Sequence, residues 1–235
     1  MKIIDHSFQT PQENLACDEA LLDESEASDG PEVLRFWTSP NPFVVLGYSN
    51  AWKDEVKDRH ALPVLRRCSG GGTVLQGPGC LNYTLILKTT PEGPLSNIRS
   101  TNVYVMERQR AALEKALGKE VRVQGHTDLT VGDLKFSGNA QRRKKNRLLF
   151  HGTFLIDFDL SQIARFLKVP GKQPAYRKGR PHKEFVTNLG VSASRVKETV
   201  AKAWHAEDGL ERWPEKRMAQ LVAERYSRKD WNFKF

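Results

Sequence analysis

The chain has 235 residues, 39% of them hydrophobic, with a formal net charge of +9 and a pI of about 9.5. That is enough apolar material for one sizeable core, and without a run of about 18 apolar residues it excludes a membrane-spanning helix. The N-terminal stretch "MKIIDHSFQTPQENLACDEALL" lacks the apolar centre of a signal peptide, and Cys17, Cys68 and Cys80 form no C-x-x-C pair; a cytoplasmic protein without a disulfide framework or zinc site is expected, with no membrane partner. The basic balance predicts acidic partners: nucleic acid, an acidic protein or anionic small molecules.

Thr10-Pro11-Gln12-Glu13 is a capping box with proline at the first helical position, and predicts a helix through "ENLACDEALLDE". Short β-type runs follow at 33–37, 43–48 and 63–67. Residues 102–117 read as a helix with Val103, Met106, Leu113 and Leu117 on one side and Gly118 as its stop. Four more strand-like runs occupy 121–124, 128–132, 134–138 and 148–158. The tail reads as helices near 159–167, 193–205 and 214–226, and "PGKQPAYRKGRPHKEF" (170–185) as a long surface loop. Strands in the middle flanked by helices give the class α/β or α+β, a mixed β-sheet with packed helices.

The stretch "RRCSGGGTVLQGPGCLNY" (66–83) stands out. A glycine triplet costs backbone entropy and needs a reason. Either Gly70, Gly71 and Gly72 form a plain turn, or they let backbone N–H groups approach an anion beside Arg66 and Arg67. No Gly-Lys-Ser/Thr follows, so it is not a P-loop, and no helix opens after it, so it is not a dinucleotide fingerprint. The pattern predicts strand, turn (Gly77-Pro78-Gly79), strand.

Taken in order, "RRCSGGGTV…GPGCLNYT", "DLTVGDLKFSGNAQ", "FHGTFLIDFDL", "VTNLGV" and "RYSRKDWNF" resemble lipoate–protein ligases over nearly the whole chain. The related biotin ligases and octanoyl transferases share the fold. The resemblance implies one biotin/lipoate ligase-type catalytic domain over 1–235. It implies activation of lipoate by Mg-ATP to lipoyl-AMP, then transfer to a lysine of an acidic lipoyl carrier domain, of a 2-oxoacid dehydrogenase subunit or a glycine cleavage H-type protein. Carried over residue by residue, it implies that Lys135 contacts the phosphate and the acyl carbonyl oxygen, where a cation stabilises developing charge. It assigns Arg67 to the phosphate, Gly70, Gly71, Gly72, Thr73, Val74 and Leu75 to the nucleotide, and Asp128 to magnesium or the nucleotide. Asn82, Gly138, Asn139, His151 and Gly152 complete the implied lipoyl-adenylate set.

The chain departs from that pattern in several places. Octanoyl transferases of this fold use a cysteine nucleophile. One of its two positions is Leu148 here, and "VRVQGHTDL" at the other holds no cysteine. A cysteine-dependent octanoyl or lipoyl transferase would have to use Cys68 or Cys80, with the flanking arginines lowering the thiol pKa. Gln76 replaces the histidine and Cys80 the asparagine often found in the family. The sequence ends after "DWNFKF", where many bacterial ligases continue into an accessory domain. That predicts a self-sufficient short ligase, a separate accessory protein, or use of pre-activated acyl-adenylate.

The densest basic run, "RRKKNR", is expected to be the charged turn of a strand–turn–strand unit at the cleft mouth. There Arg142, Arg143, Lys144, Lys145 and Arg147 would steer an acidic carrier domain, the alternative being a solvated turn. A nucleic-acid-binding protein is the other class such charge suggests, but the sequence has no RRM, KH or helix-turn-helix signature, so no nucleic-acid partner is expected.

Overall fold

The computed structural model describes residues 1–210 and 212–235. Its strands, in chain order, are β1 (Lys2–Asp5), β2 (Val33–Trp37), β3 (Phe43–Leu46), β4 (Val64–Arg66), β5 (Val74–Gln76), β6 (Cys80–Lys88), β7 (Arg122–Gln124), β8 (Asp128–Val131), β9 (Leu134–Arg143), β10 (Arg147–Leu155) and β11 (Asp208–Gly209). The helices are α1 (Pro11–Ser28), α2 (Trp52–Glu55), α3 (Ile98–Leu117), α4 (Ser161–Phe166), α5 (His182–Phe185), α6 (Ala193–Trp204), α7 (Glu215–Leu221) and α8 (Lys229–Asn232). The capping box forms as expected: Glu13 N–H donates to the Thr10 hydroxyl, and Thr10 N–H to the Glu13 carboxylate. α3 starts four residues before its predicted start, capped by Asn97, and stops at Gly118 with φ 62°.

Eight strands form one mixed sheet in the order β11-β1-β2-β6-β10-β9-β8-β7, and three form a smaller sheet, β4-β3-β5. Alternation along β6 sorts the two faces of the large sheet. Leu81, Tyr83, Leu85 and Leu87 join Val105, Met106 and Leu113 of α3 and Val196 and Val200 of α6 in one core. Ile86 faces the other way with Leu149, against Cys17, Leu21 and Leu22 of α1. On that same second face Asn82 and Thr84 are buried polar residues. A polar side chain buried on a strand needs a partner or a purpose, and the functional residues gather there.

Three expectations are corrected. β5 pairs with β3 and not with β6, so the Gly77–Gly79 turn joins two sheets and closes no hairpin. Val103 is 60% exposed, because the buried stripe of α3 runs through Thr101, Val105, Met106, Gln109 and Leu113. β9 continues to Arg143 and β10 begins at Arg147, so half of the basic run is strand and the turn is confined to 144–146.

Candidate functional site

The site lies between the second face of the large sheet and the glycine turn of the small one. Cross-strand register builds its floor. One row across the sheet is Trp37, Asn82, Thr153, Gly138 and Asp128; the next is Arg35, Thr84, His151 and Ala140.

Lys135 reaches this floor through a β-bulge. It lies three positions before Gly138, which in a regular strand puts the two on opposite faces. The β8–β9 ladder shifts register between Leu129 and Thr130, so that Lys135 pairs with Thr130 while Gly138 pairs with Asp128. The extra residue re-aims the lysine onto the Asp128 face. Its Nζ stands 2.8 Å from Asp128 Oδ1. A Cβ on Gly138 would come within 2.8 Å of the same Nζ, so a side chain there would push the ammonium out of this position.

The glycine turn sits over the neighbouring row. Gly71 adopts φ 86°, and its Cβ position lies 3.5 Å from the Ala140 Cβ. Arg67 holds the turn from inside. Its Nε donates to Ser69 Oγ (3.0 Å) and the Gly70 carbonyl (3.1 Å), and its Nη2 to the carbonyls of Gly70 (2.5 Å) and Gly72 (2.8 Å). Burial lowers its pKa to about 10, which leaves it charged at neutral pH. Arg67 therefore grips the loop's own carbonyls. With those drawn inward, and among the described residues, the N–H groups of Gly70, Gly71 and Gly72 donate to no protein acceptor. Arg66 is likewise internal, donating to the carbonyls of Gly47, Tyr48, Asn50, Trp231 and Asn232 and so fastening the C-terminal segment.

Ser69 links the turn to the floor. Arg67 can only donate, so Ser69 Oγ accepts from it and keeps its own proton free for His151 Nε2, 2.6 Å away. Burial holds the His151 pKa below its usual value, and the neutral ring then carries its proton on Nδ1, 3.6 Å from Asp18 Oδ2. Burial pushes the Asp18 carboxyl up, but Arg35 at 2.5 Å, then His151, outweigh it and hold the carboxyl below its usual range.

Other expected site residues are placed differently. Asn139 and Gly152 pair across the opposite face of the sheet. There Asn139 accepts from the Tyr83 hydroxyl (2.6 Å) and donates to the Thr127 carbonyl (2.6 Å). A Cβ on Gly152 would fall on the Asn139 amide oxygen. These two shape the strand from behind and do not face the cleft. Leu75 is buried in the core beside α4, and Val74 lies against the core on the other side of the small sheet; Thr73 accepts from Asn50. Asn82 takes part in a buried chain in which Gln76 donates to Thr153, and Thr153 to Asn82, each at 2.6 Å.

The basic run is dispersed. Arg143 donates to Thr101 and the Leu95 carbonyl, Lys144 pairs with Asp23 at 2.6 Å, and Arg147 is buried against Ser25, Asp29 and Gly30. Arg142 and Lys145 are exposed, Arg142 standing 5.8 Å over the Tyr48 ring. The hairpin tip lies roughly 30 Å along β9 from Lys135, at about 3.3 Å per residue. It is not at the mouth of the cleft, because β9 runs on through Arg142 and Arg143 and carries the turn, 144–146, away from Lys135.

All three cysteines are buried. Burial pushes Cys17 and Cys80 up to about 12, and raises Cys68 despite the lowering effect of Arg142. The arginines flanking Cys68 do not activate it, since burial dominates and Arg66 and Arg67 face carbonyls. Among the described residues no group of three His, Cys, Asp or Glu could hold a metal, and both Asp128 oxygens are engaged, Oδ2 by the Tyr176 hydroxyl at 2.7 Å. The residues do not fit a resident metal ion. Reading the sequence missed Asp18, Arg35, Gly47, Ser69 and Tyr176. Of these only Ser69 carried a local signal, its place beside the glycine triplet.

Residues 10–204 match the lipoyl protein ligase A/B catalytic domain, and the chain belongs to that family. It is 28% identical over 238 residues to a probable lipoate-protein ligase A of Mycoplasma pneumoniae, covering 95% of this chain and 68% of that one. It is 33% identical over 175 residues to lipoate–protein ligase 1 of Staphylococcus aureus, covering 72% of this chain and only half of that one. The chain superposes on a lipoate-protein ligase A bound with ATP with a TM-score of 0.84 at 23% identity, covering 99% and 98% of the two chains. On the bi-partite lipoate protein ligase of Thermoplasma acidophilum, described with its E2 lipoyl domain, the TM-score is 0.83 at 23% identity, with 99% and 95% covered. These likenesses establish the lipoate ligase fold.

Proposed function

We propose that this chain activates lipoate with Mg-ATP to lipoyl-AMP and transfers the lipoyl group to a lysine of an acidic lipoyl carrier domain. The observation that carries the reading is the placement of Lys135 on the cleft floor over Gly138, one strand position-pair from the glycine turn over Ala140. An acyl-adenylate develops negative charge on the acyl oxygen and on the leaving phosphate. A fixed ammonium stabilises both. The inward-turned carbonyls of Gly70 and Gly72 leave the turn's N–H groups for phosphate oxygens. Arg67 then serves the anion indirectly, by shaping the turn. Magnesium would come as part of the Mg-ATP substrate and would need few protein ligands.

The family membership and the names of the relatives support this reading, as does the ATP-bound ligase of the same fold. The buried, protonated thiols give no support to a cysteine-dependent transferase. The bi-partite Thermoplasma ligase and its E2 lipoyl domain support a carrier domain as partner and a separate accessory protein as a second one. We place the activity in the cytoplasm; no helix among the described residues is long and apolar enough to cross a membrane. Incubation with lipoate and Mg-ATP should yield lipoyl-AMP and pyrophosphate. Absence of both, with and without an accessory protein, would overturn the activation step.

A further inference from the structure

We infer that Tyr176 is a positioning residue for Lys135, acting through Asp128. The inference rests on the reading of Lys135 as the cation of the cleft. Asp128 has two named partners: Lys135 Nζ at 2.8 Å on Oδ1 and the Tyr176 hydroxyl at 2.7 Å on Oδ2. The Lys135 side chain is 26% exposed and that of Asp128 14%. An ion pair this open to water is worth only about 0–1 kcal/mol, too little to fix an ammonium in one place. The second oxygen decides the matter. With Tyr176 donating to it, the carboxylate cannot swing with the lysine, and a weak pair becomes a directed one. Burial, then Asp128, holds the phenol protonated, so it is a donor throughout the working range.

Tyr176 is itself built in. Its ring lies 5.2 Å from that of Phe185. Gly125, at φ 60°, has its Cβ position 3.5 Å from Tyr176 Cε1. Arg180 donates to the Tyr176 carbonyl and to the Asp133 carbonyl, both at 3.1 Å. The same segment returns to the lysine backbone, where Thr187 N–H donates to the Lys135 carbonyl at 2.9 Å. One stretch of chain thus holds Lys135 twice, at its backbone and, through Asp128, at its charge.

The test pairs kinetics with a measurement that needs no turnover. Tyr176→Phe keeps the ring and removes only the hydroxyl. It should lower kcat for lipoyl-AMP formation about tenfold or more, the order a misplaced catalytic group costs, with KM for lipoate and ATP unchanged. Added to Asp128→Asn it should cost nothing further, since both act on one contact. In the ligand-free protein, competitive acetylation by acetic anhydride should label Lys135 roughly threefold faster in Tyr176→Phe, as in Asp128→Asn, once the weak pair is loosened. Unchanged Lys135 labelling in folded Tyr176→Phe, or kinetic losses that add to those of Asp128→Asn, would overturn the inference. A wild type that forms no lipoyl-AMP would sink the activity reading, while the labelling still decides the role of Tyr176.

Discussion

Ser69 Oγ stands 2.6 Å from His151 Nε2, and this contact ties the glycine turn to the floor of the large sheet. The two residues are 82 positions apart in the chain, Ser69 on the loop between β4 and β5 of the small sheet and His151 on β10 of the large one. Arg67, Ser69, His151, Asp18 and Arg35 thereby form one polar chain from the turn to the buried side of α1. A neutral imidazole completes it, with Nε2 free to accept from Ser69.

Acid should break that chain. Burial lowers the folded-state pKa of His151, so below about pH 6.5 the unfolded chain binds a proton that the native state resists. The stability contributed by neutral His151 is fully present above about pH 6.5 and is lost as pH falls toward the lower folded value. Thermal melts between pH 8 and about pH 5 should show a steeper loss in the wild type than in His151→Gln. Parallel curves would remove His151 from the titrating groups that matter.

Arg67 should prove structural first. Arg67→Ala frees the carbonyls of Gly70 and Gly72 and the Ser69 hydroxyl together. Hydrogen bonds to a charged donor contribute about 1.5–3 kcal/mol each, so urea denaturation should show a loss of about 3 kcal/mol. Arg67→Lys should recover little of it, since an ammonium cannot span that fork. Full stability of Arg67→Lys would contradict the geometry.

The glycines should not behave alike. A Cβ at Gly70 or Gly72 meets nothing within 4 Å, whereas one at Gly47 would fall on the Gly71 carbonyl oxygen. Gly70→Ala should fold normally. Gly47→Ala should displace the turn and raise the KM for ATP, as steady-state pyrophosphate release would report.

Much of this architecture was legible in the sequence where the signal is local. Thr10 and Glu13 announced α1, Gly118 announced the end of α3, and the order of the motifs announced the fold. The site was legible only in part. Lys135 and Gly138 lie within one motif, but the bulge that puts them on one face arises from pairing with β8. Asp18 and Tyr176 reach the site from distant elements and leave no pattern nearby. The basic run misled because strand alternation sends Arg143 to Thr101 of α3 and Arg147 to Ser25 of α1, which composition alone cannot register.

Lys135 itself should be dispensable for folding and indispensable for chemistry. Its partly exposed side chain does little packing. Lys135→Ala should leave the melting temperature near that of the wild type and cost about 2.7–4 kcal/mol at the transition state for lipoyl-AMP formation. Near-normal turnover would remove Lys135 from the catalytic role.

The most direct test of the whole account is intact mass of an apo carrier domain treated with the variant in which Cys17, Cys68 and Cys80 are all replaced by serine. Lipoate and Mg-ATP should add one lipoyl group to the carrier lysine, and octanoyl-carrier protein without ATP should add nothing. Transfer from octanoyl-carrier protein by the wild type, lost in the folded cysteine-free variant, would contradict the ligase reading.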